Sequence, residues 1–232
     1  MKHQYLGGVN DYRKYGILRL LLQSGMTLGV CWMLTSNDAS SEGGKRSYLD
    51  HPDDWRCYDP ELYDILRQVP PEPKARDLAI VEQSALFSGA RFWSRPLVPD
   101  CAERERYWAD MLDRMAGVNW LFLDPDNGLE VRSKPWGRRD SIKYVYWREV
   151  EAAWEAGHSL LIYQHWRRKE RIGQMADLCA DLSQHTPESN VGLLCTSNVA
   201  FMLAAQPDHG GLVRLAQSCP TSWRAQVAWC RA

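Results

Sequence analysis

The sequence predicts an α/β fold, a Rossmann-like and mostly parallel sheet with helices on both faces. Short apolar runs such as 119–124 and 159–165 alternate with longer stretches of helical periodicity, which is typical of parallel strands joined by helices. The 232 residues are enough for one such domain with a substantial core. We therefore expect a single domain, 1–232, with an irregular insertion at about 36–100.

The N-terminal part predicts a helix, a strand and a polar loop, in that order. Residues 10–24 have helical apolar spacing, a polar cap at the start and Gly25 as a stop. Residues 27–35 form a continuous apolar run bounded by turn residues, which indicates a strand buried on both faces. The Ser- and Gly-rich stretch 36–47 predicts a loop.

The remaining elements follow from the same two periodicities. Helices are expected at 60–69, 100–117, 147–157 and 167–185. Strands are expected at 119–124, 159–165, 191–197 and 225–230, with 90–98 as a strand or an edge segment. We assign no element type to the apolar stretch after residue 197.

Composition and charge exclude several classes of protein. The 28 basic and 29 acidic residues argue against holding long nucleic acid by bulk charge, although a local basic patch is compatible with them. None of the seven cysteines forms a C-x-x-C pair, so we expect reduced thiols instead of a zinc site or disulfides. No signal peptide or membrane-spanning run is visible, which predicts a cytoplasmic protein without a membrane partner. Oligomeric state is left open.

Polar side chains follow four of the predicted strands. Carboxyl ends of parallel strands meet at one edge of a sheet, and open α/β sheets bind their ligands there. The candidates are Thr35, Asn37 and Asp38 after the first strand, Asp124, Pro125, Asp126 and Asn127 after the second, Gln164, His165 and Arg167 after the third, and Thr196, Ser197 and Asn198 after the fourth. Asp-Pro and Asn-Gly are common turn-forming pairs, so an Asp-Pro-Asp-Asn-Gly stretch alone is as typical of a tight turn as of a functional site. The functional interpretation therefore depends on the convergence of all four sets.

The stretch FLDPDNGLE, in its strand-to-loop setting, resembles the fourth motif of Rossmann-like S-adenosylmethionine-dependent methyltransferases that act on amino nitrogens. A more specific likeness is to the bacterial large-subunit ribosomal RNA adenine-N6 methyltransferases, whose chains also begin with an Asn-containing basic helix, as GVNDYRKYGILRLL does here. The turn is more weakly similar to the Asp-Pro-Phe-Gly turn of three-Cys-motif partner proteins. The Lys-Tyr-Gly, Asp-Pro-Asp-Asn-Gly-Leu-Glu and Tyr-Gln-His blocks also resemble an uncharacterised bacterial protein family without a known activity.

The resemblance implies a methyltransferase-like protein that uses S-adenosylmethionine to methylate an amino nitrogen of nucleic acid. Asp124 would accept the hydrogens of the target amine and Pro125 would present a backbone carbonyl, with Asp126, Asn127 and His165 at the same reaction centre. The implied cofactor-binding residues are Thr35, Asn37, Asp38, Asn10, Lys14 and Tyr15. The chain departs from the family at Asp126 and Asn127, where the family has a second proline and a stacking ring, and it has no Gly-x-Gly turn after the strand at 27–35.

Two other functions stay open. Asp124, Asp126 and Glu130 are candidate Mg²⁺ ligands of a metal-dependent nuclease or phosphodiesterase. The other alternative is a non-enzymatic nucleic-acid-binding module of the same fold. Basic residues interleaved with aromatic rings favour nucleic acid as the partner, without separating RNA from DNA. The expected nucleic-acid contacts are Lys134, Arg138, Arg139, Lys143, Tyr144, Gln164, Arg167 and Arg168.

Overall fold

The computed structural model describes residues 1–38, 45–166, 171–210, 223 and 226–230. Within these ranges the chain is an α/β protein with a seven-stranded mixed sheet. The strands of that sheet are β1 (Leu28–Cys31), β2 (Ala90–Trp93), β3 (Trp120–Leu123), β6 (Ser159–His165), β7 (Asn190–Cys195), β8 (Val199–Ala205) and β9 (Ala228–Cys230). Two short strands, β4 (Gly128–Leu129) and β5 (Tyr144–Val145), pair with each other beside it.

Seven α-helices occur in the described part of the chain. They are α1 (Val9–Gln23), α2 (Pro52–Trp55), α3 (Pro60–Arg67), α4 (Ala79–Glu82), α5 (Cys101–Arg114), α6 (Trp147–Glu155) and α7 (Arg171–His185). The long helices start and end within a few residues of their predicted bounds because their apolar spacing and caps are local signals. Asp100, for example, caps α5 by accepting a hydrogen bond from the backbone N–H of Glu103.

Five strands of the sheet, β2, β1, β3, β6 and β7, point the same way, so their carboxyl ends lie at one edge. The strand order is β2-β1-β3-β6-β8-β7-β9. The neighbouring pairs from β2 to β6 are all parallel, and β8 is antiparallel to both β6 and β7, so β7 points the same way as β6. The chain passes from β1 to β2 on one side and then to β3 on the other. The order therefore reverses between β1 and β3, and such a switch point opens a crevice outside the strand ends.

The sheet separates two apolar clusters, and helices cover both of its faces. Trp120 and Phe122 of β3 pack with α1 and α3 on one face, whereas Leu121 and Leu123 pack with α5, α6 and α7 on the other. This alternation is what a strand buried on both faces requires. All four residues of β3 are buried, as the continuous apolar run predicts.

The prediction of a mostly parallel sheet needs correction at the C-terminal half, where β8 and β9 run against the other strands. Residues 196–198 alone connect β7 to β8. A parallel crossover takes about a dozen residues or more. A link of this length therefore allows only an antiparallel hairpin. The apolar stretch after residue 197 is therefore the strand β8, inserted between β6 and β7.

The expected irregular insertion at about 36–100 is only partly irregular. It contains three short helices, α2 to α4, and also β2, which is the edge strand of the main sheet beside β1. Residues 39–44 of this range lie outside the described residues. Within the described ranges, no helix has both the length and the apolar character needed to cross a bilayer.

Candidate binding cleft at the switch point

A cleft of about 780 Å³ opens at the switch point, outside the ends of β1, β3 and β6. This volume lies within the range of small-molecule sites, roughly 300–1,000 Å³. The N-terminal segment and α1 form one wall, and the loop after β3 and the end of β6 form the other. Nine of the predicted site residues line it, namely Asn10, Lys14, Asp38, Asp124, Pro125, Asp126, Asn127, Lys143 and His165.

A buried ionic cluster forms the floor of the cleft. The Lys14 ammonium lies 2.8 Å from a carboxylate oxygen of Asp11, one turn earlier on α1, and 2.7 Å from one of Asp124, at the end of β3. Three aromatic rings have their centroids 5.3 to 5.7 Å from this ammonium, those of Tyr15, Trp32 and Tyr163. Burial works to lower the pKa of Lys14, but the two carboxylates outweigh it and hold the pKa above its usual value. Lys14 therefore stays charged.

For the pKa of Asp11, burial outweighs the neighbouring charge, which is the reverse of the result for Lys14. Burial raises the pKa of its carboxyl group, and the neighbouring Lys14 ammonium only partly offsets that effect. Asp11 also accepts a hydrogen bond from the backbone N–H of Gly7, at 3.0 Å. The cluster thus holds two carboxylates against one ammonium, and it ties the first loop and α1 to the end of β3.

Asp126 is neutralised separately, by the ammonium of Met1 at 2.8 Å. The same ammonium donates to the carbonyl oxygens of Asp124, at 2.9 Å, and Met33, at 3.3 Å. The Thr35 hydroxyl donates to the other carboxylate oxygen of Asp126, at 2.8 Å. Burial works to raise the pKa of Asp126, but the ammonium and the hydroxyl together hold it below its usual value.

The carboxylates that line the cleft all contact ammonium groups of the protein, whereas two lysines that line it form no ion pair within the described ranges. Asp38 forms an ion pair with Lys2, which completes the pairing of the four carboxylates that line the cleft. By contrast, the ammonium groups of Lys45 and Lys143 have no ion-pair or hydrogen-bond partner within the described part of the chain, and neither has the side-chain amide of Asn127. The groups that remain available to a ligand are therefore two cations and one amide.

The Asp-Pro-Asp-Asn-Gly turn owes its conformation to Gln164. Gly128 has a φ of +115°, which L side chains rarely adopt. A Cβ at this position would lie 2.2 Å from the side-chain oxygen of Gln164. Glycine is thus required here for two reasons, backbone conformation and close approach, whereas the two carboxylates of the turn serve the ion pairs described above.

Three predicted cofactor residues, Tyr15, Thr35 and Asn37, contact other parts of the protein and do not line the cleft. Tyr15 is fully buried in the core, where its ring packs against Trp32 and Phe87. Thr35 is buried and holds Asp126. The Asn37 side chain accepts a hydrogen bond from the backbone N–H of Gln4, at 3.2 Å, so both polar residues fasten the loop after β1.

The basic and aromatic stretch 133–147 mostly surrounds a different buried group. Lys134 forms an ion pair with Asp140 at 2.5 Å, and the rings of Trp136 and Tyr146 lie over Arg104. Only Lys143 of the predicted nucleic-acid contacts in this stretch lines the cleft, whereas Lys134, Arg138, Arg139 and Tyr144 do not. Arg167 and Arg168 lie outside the described residues.

The alternative metal site is not assembled as expected. Glu130 accepts a hydrogen bond from the backbone N–H of Trp147 at 3.0 Å, at the start of α6. Asp124 and Asp126 each bind an ammonium. Across the described residues, no group of three or more His, Cys, Asp or Glu side chains has the arrangement of a metal site, so Glu130 belongs to a helix start and not to a carboxylate cluster.

The turn after β1 does not fit the methionine part of S-adenosylmethionine. The chain continues with Trp32, Met33, Leu34 and Thr35, all buried. Met33 takes the left-handed conformation with a φ of +45°, and residues 32–38 contain no glycine. The backbone N–H of Thr35 donates to the carbonyl oxygen of Met1 at 2.9 Å, so protein backbone occupies the space beside this turn.

Sequence reasoning missed several residues that line the cleft, including Lys2, Tyr5, Asp11, Lys45 and Tyr163. One local signal was available, because Asp11 and Lys14 are three residues apart on a predicted helix and therefore share a face. Tyr163 lies near the carboxyl end of a predicted strand, whereas Lys2, Tyr5 and Lys45 carry no such signal, since only the tertiary structure brings them to the cleft. Comparisons with known proteins return nothing to set beside this geometry, because no protein-family model, curated protein or solved structure matches the chain.

Proposed function

We propose that this protein is a nucleic-acid-binding module of Rossmann-like type, which holds one nucleotide of a single strand in the switch-point cleft. The observation that carries the proposal is the charge pattern of the cleft. Each lining carboxylate contacts an internal cation, with Lys14 shared by Asp11 and Asp124. Lys45 and Lys143 form no ion pair with a described residue, although Lys143 acts at longer range on Asp140, whose own partner is Lys134. Two unmatched ammonium groups beside a concave site are suited to a phosphate-bearing ligand.

The groups beside these lysines suit an unpaired base. The backbone N–H of Asn127 donates to the carbonyl oxygen of Lys143 at 2.9 Å, so the two residues are neighbours, and both line the cleft. Tyr5 presents a partly exposed ring on the opposite wall. Single-stranded nucleic acid is typically bound by such a combination of phosphate contacts, base stacking and hydrogen bonds to base edges.

The paired state of Asp124 and Asp126 favours binding over the two catalytic alternatives. A carboxylate already held by a buried ammonium is a poor acceptor for a target amine and a poor ligand for Mg²⁺. The turn after β1 also lacks the glycine cradle that S-adenosylmethionine would need. Both enzymatic hypotheses therefore have less support from the contacts than a binding role does.

The proposal is tested by the salt dependence of binding. Affinity for a labelled single-stranded oligonucleotide of about twelve nucleotides is measured by fluorescence anisotropy over a series of salt concentrations, as RNA and as DNA. Lys45→Gln and Lys143→Gln are each expected to weaken binding and to reduce the slope of log K against log salt by about 0.7, the value for one phosphate contact on a single strand.

Lys74→Gln is the matched control, because Lys74 is exposed and does not line the cleft. It makes the same change of charge and is expected to leave both affinity and slope unchanged. The proposal fails if the wild-type protein binds no oligonucleotide, or if Lys74→Gln weakens binding as much as the cleft variants. A rise of melting temperature with S-adenosylhomocysteine would instead restore the methyltransferase hypothesis, and Mg²⁺-dependent degradation of the oligonucleotide would restore the nuclease.

A further inference from the structure

Gln164 lies near the end of β6, beside the loop that follows β3. Both the oxygen and the nitrogen of its side-chain amide form hydrogen bonds. The backbone N–H of Leu129, in β4, donates to its side-chain oxygen at 2.8 Å. Its side-chain nitrogen donates to the carbonyl oxygen of His165 at 2.7 Å. Gln164 is almost fully buried, so neither hydrogen bond has water as a ready substitute. The sequence predicts a ligand contact here, whereas in the structure these two hydrogen bonds form a brace between β4 and the end of β6.

Three backbone contacts extend this brace to the cleft wall. The backbone N–H of His165 donates to the carbonyl oxygen of Asn127 at 3.3 Å, and the N–H of Asn127 donates to the carbonyl oxygen of Lys143 at 2.9 Å. The N–H of Glu130 donates to the carbonyl oxygen of Val145 at 2.9 Å. A change in the Gln164 amide thus passes directly to the backbone that carries Asn127 and Lys143.

Gly128 packs tightly against the side-chain amide of Gln164. The Cβ that any other residue would carry at position 128 comes within 2.2 Å of the oxygen, 2.5 Å of the carbon and 2.7 Å of the nitrogen of the Gln164 amide. Contacts under 3.0 Å force a shift, and here the amide is held at both ends. Gly128 and Gln164 therefore act as one unit that sets the distance between the ends of β3 and β6.

We propose that Gln164 is the positioning residue of the cleft, which holds Asn127 and Lys143 in the geometry that binds the nucleotide. This inference rests on the proposed function and deepens it, because it assigns affinity to a residue without ligand contact. The chemistry required at position 164 is one acceptor toward Leu129 and one donor toward His165. A carboxamide supplies both, and a protonated carboxyl group of the same length supplies both as well, whereas a carboxylate supplies acceptors alone.

The Gln164→Glu variant uses this difference as a switch. Its introduced carboxyl group is buried, so its pKa lies above the usual value for glutamate. Near pH 8 the group is a carboxylate that faces the His165 carbonyl oxygen, and oligonucleotide binding is expected to be roughly tenfold weaker than in the wild type. As the pH falls toward 5 the carboxyl group protonates, and the ratio of the two affinities is expected to return to within about twofold.

Gln83→Glu is the matched control, because Gln83 is exposed at the end of α4 and does not line the cleft. Its affinity ratio to the wild type is expected to stay flat across the same pH range. All affinities are measured well below the melting temperature of each variant, so that loss of folded protein makes no contribution. The ratio to wild type at each pH removes every pH effect that the variant shares with the wild type.

A second pair of variants keeps the inference testable even where Gln164→Glu folds poorly. Gly128→Ala and Gln164→Ala each disturb the same contact, so their effects on affinity are expected to be non-additive in the double variant, which weakens binding by less than the product of the single effects. Strict additivity, or a pH-independent loss in Gln164→Glu, would overturn the positioning role while leaving the binding function intact. Absence of wild-type binding would overturn the proposed function itself, so the two failures are distinguishable.

Discussion

Two buried ionic clusters, one on each face of the sheet, differ in how completely their charges are matched. Arg104, fully buried under α5 and α6, makes two hydrogen bonds to the Glu149 carboxylate, at 2.7 and 2.9 Å. Its remaining donors bind the carbonyl oxygens of Ser141 and Tyr144, at 2.9 and 2.7 Å. On the other face, the single ammonium of Lys14 serves both Asp11 and Asp124.

This difference distinguishes a structural ion pair from an ionic cluster that is a candidate functional site. Arg104 and Glu149 are matched one to one, have their other hydrogen bonds satisfied by backbone and contribute nothing to the cleft. Burial raises the pKa of Glu149, and the Arg104 guanidinium partly offsets this shift. In the Lys14 cluster two carboxylates share one ammonium, and the cluster lines the cleft. A perturbed ionic cluster is a candidate functional site where it lies in a cleft.

The largest expected effect is the removal of Arg104. Arg104→Met leaves the Glu149 carboxylate buried without its cation, and the free energy of unfolding is expected to fall by about 3–5 kcal/mol. Urea denaturation near pH 7 measures this loss. The double variant Arg104→Met/Glu149→Met is expected to recover most of it, because it leaves no buried charge. A loss below about 1 kcal/mol in the single variant would show that this pair is not the structural one.

Removal of Lys14 is expected to have an intermediate, pH-dependent effect. Lys14→Met leaves two adjacent carboxylates, Asp11 and Asp124, but the cleft admits water and ions, so the expected loss near pH 7 is about 2–3 kcal/mol. In the variant Asp11 loses the ammonium that offsets its burial, so its folded-state pKa rises further above that of the unfolded chain. The native state then binds more protons than the unfolded state, and the variant regains stability relative to the wild type as the pH falls from 7 toward 5.

Urea denaturation of wild type and Lys14→Met at three pH values measures this recovery. Lys74→Met provides the reference for a lysine without a buried partner and is expected to change stability by less than about 0.5 kcal/mol at every pH. A difference between wild type and Lys14→Met that stays constant from pH 7 to 5 would contradict the excess of negative charge at the cleft floor.

The smallest expected effect concerns Tyr146, whose hydroxyl donates to the carbonyl oxygen of Lys134 at 2.6 Å beside the Arg104 cluster. Tyr146→Phe is expected to lower the free energy of unfolding by about 1 kcal/mol near pH 8. Burial raises the pKa of Tyr146 to about 12, so the wild type loses stability as the pH rises from about 10 to 12, where the unfolded chain releases this proton first. Tyr146→Phe is expected to lack that part of the alkaline loss.

The matched change on the other face is Tyr163→Phe, which removes a buried hydroxyl that contacts Asn10 on the cleft wall. We expect a similar loss of stability, about 1 kcal/mol, together with a change in oligonucleotide affinity that Tyr146→Phe does not show. Equal affinities for the two variants would remove the functional distinction between the two faces of the sheet.

The sequence by itself determined the elements and the edge at which they present polar groups. Apolar runs and helical spacing located α1, β3 and β6, because these patterns repeat within one element and each element responds to its own side chains. The strand-edge rule then brought Asp124, Asn127 and His165 to one cleft, since parallel strands must end at the same side of a sheet.

Only the tertiary structure decided what those groups do there. Lys14 and Asp124 are 110 residues apart, so no local pattern shows that each neutralises the other. Gln164 looked like a ligand contact because its strand end is polar, yet its amide is used by backbone groups from β4 and its own strand. Long-range pairing determines which polar atoms are consumed inside the fold and which remain for a ligand, because a buried polar group takes the nearest partner that folding supplies.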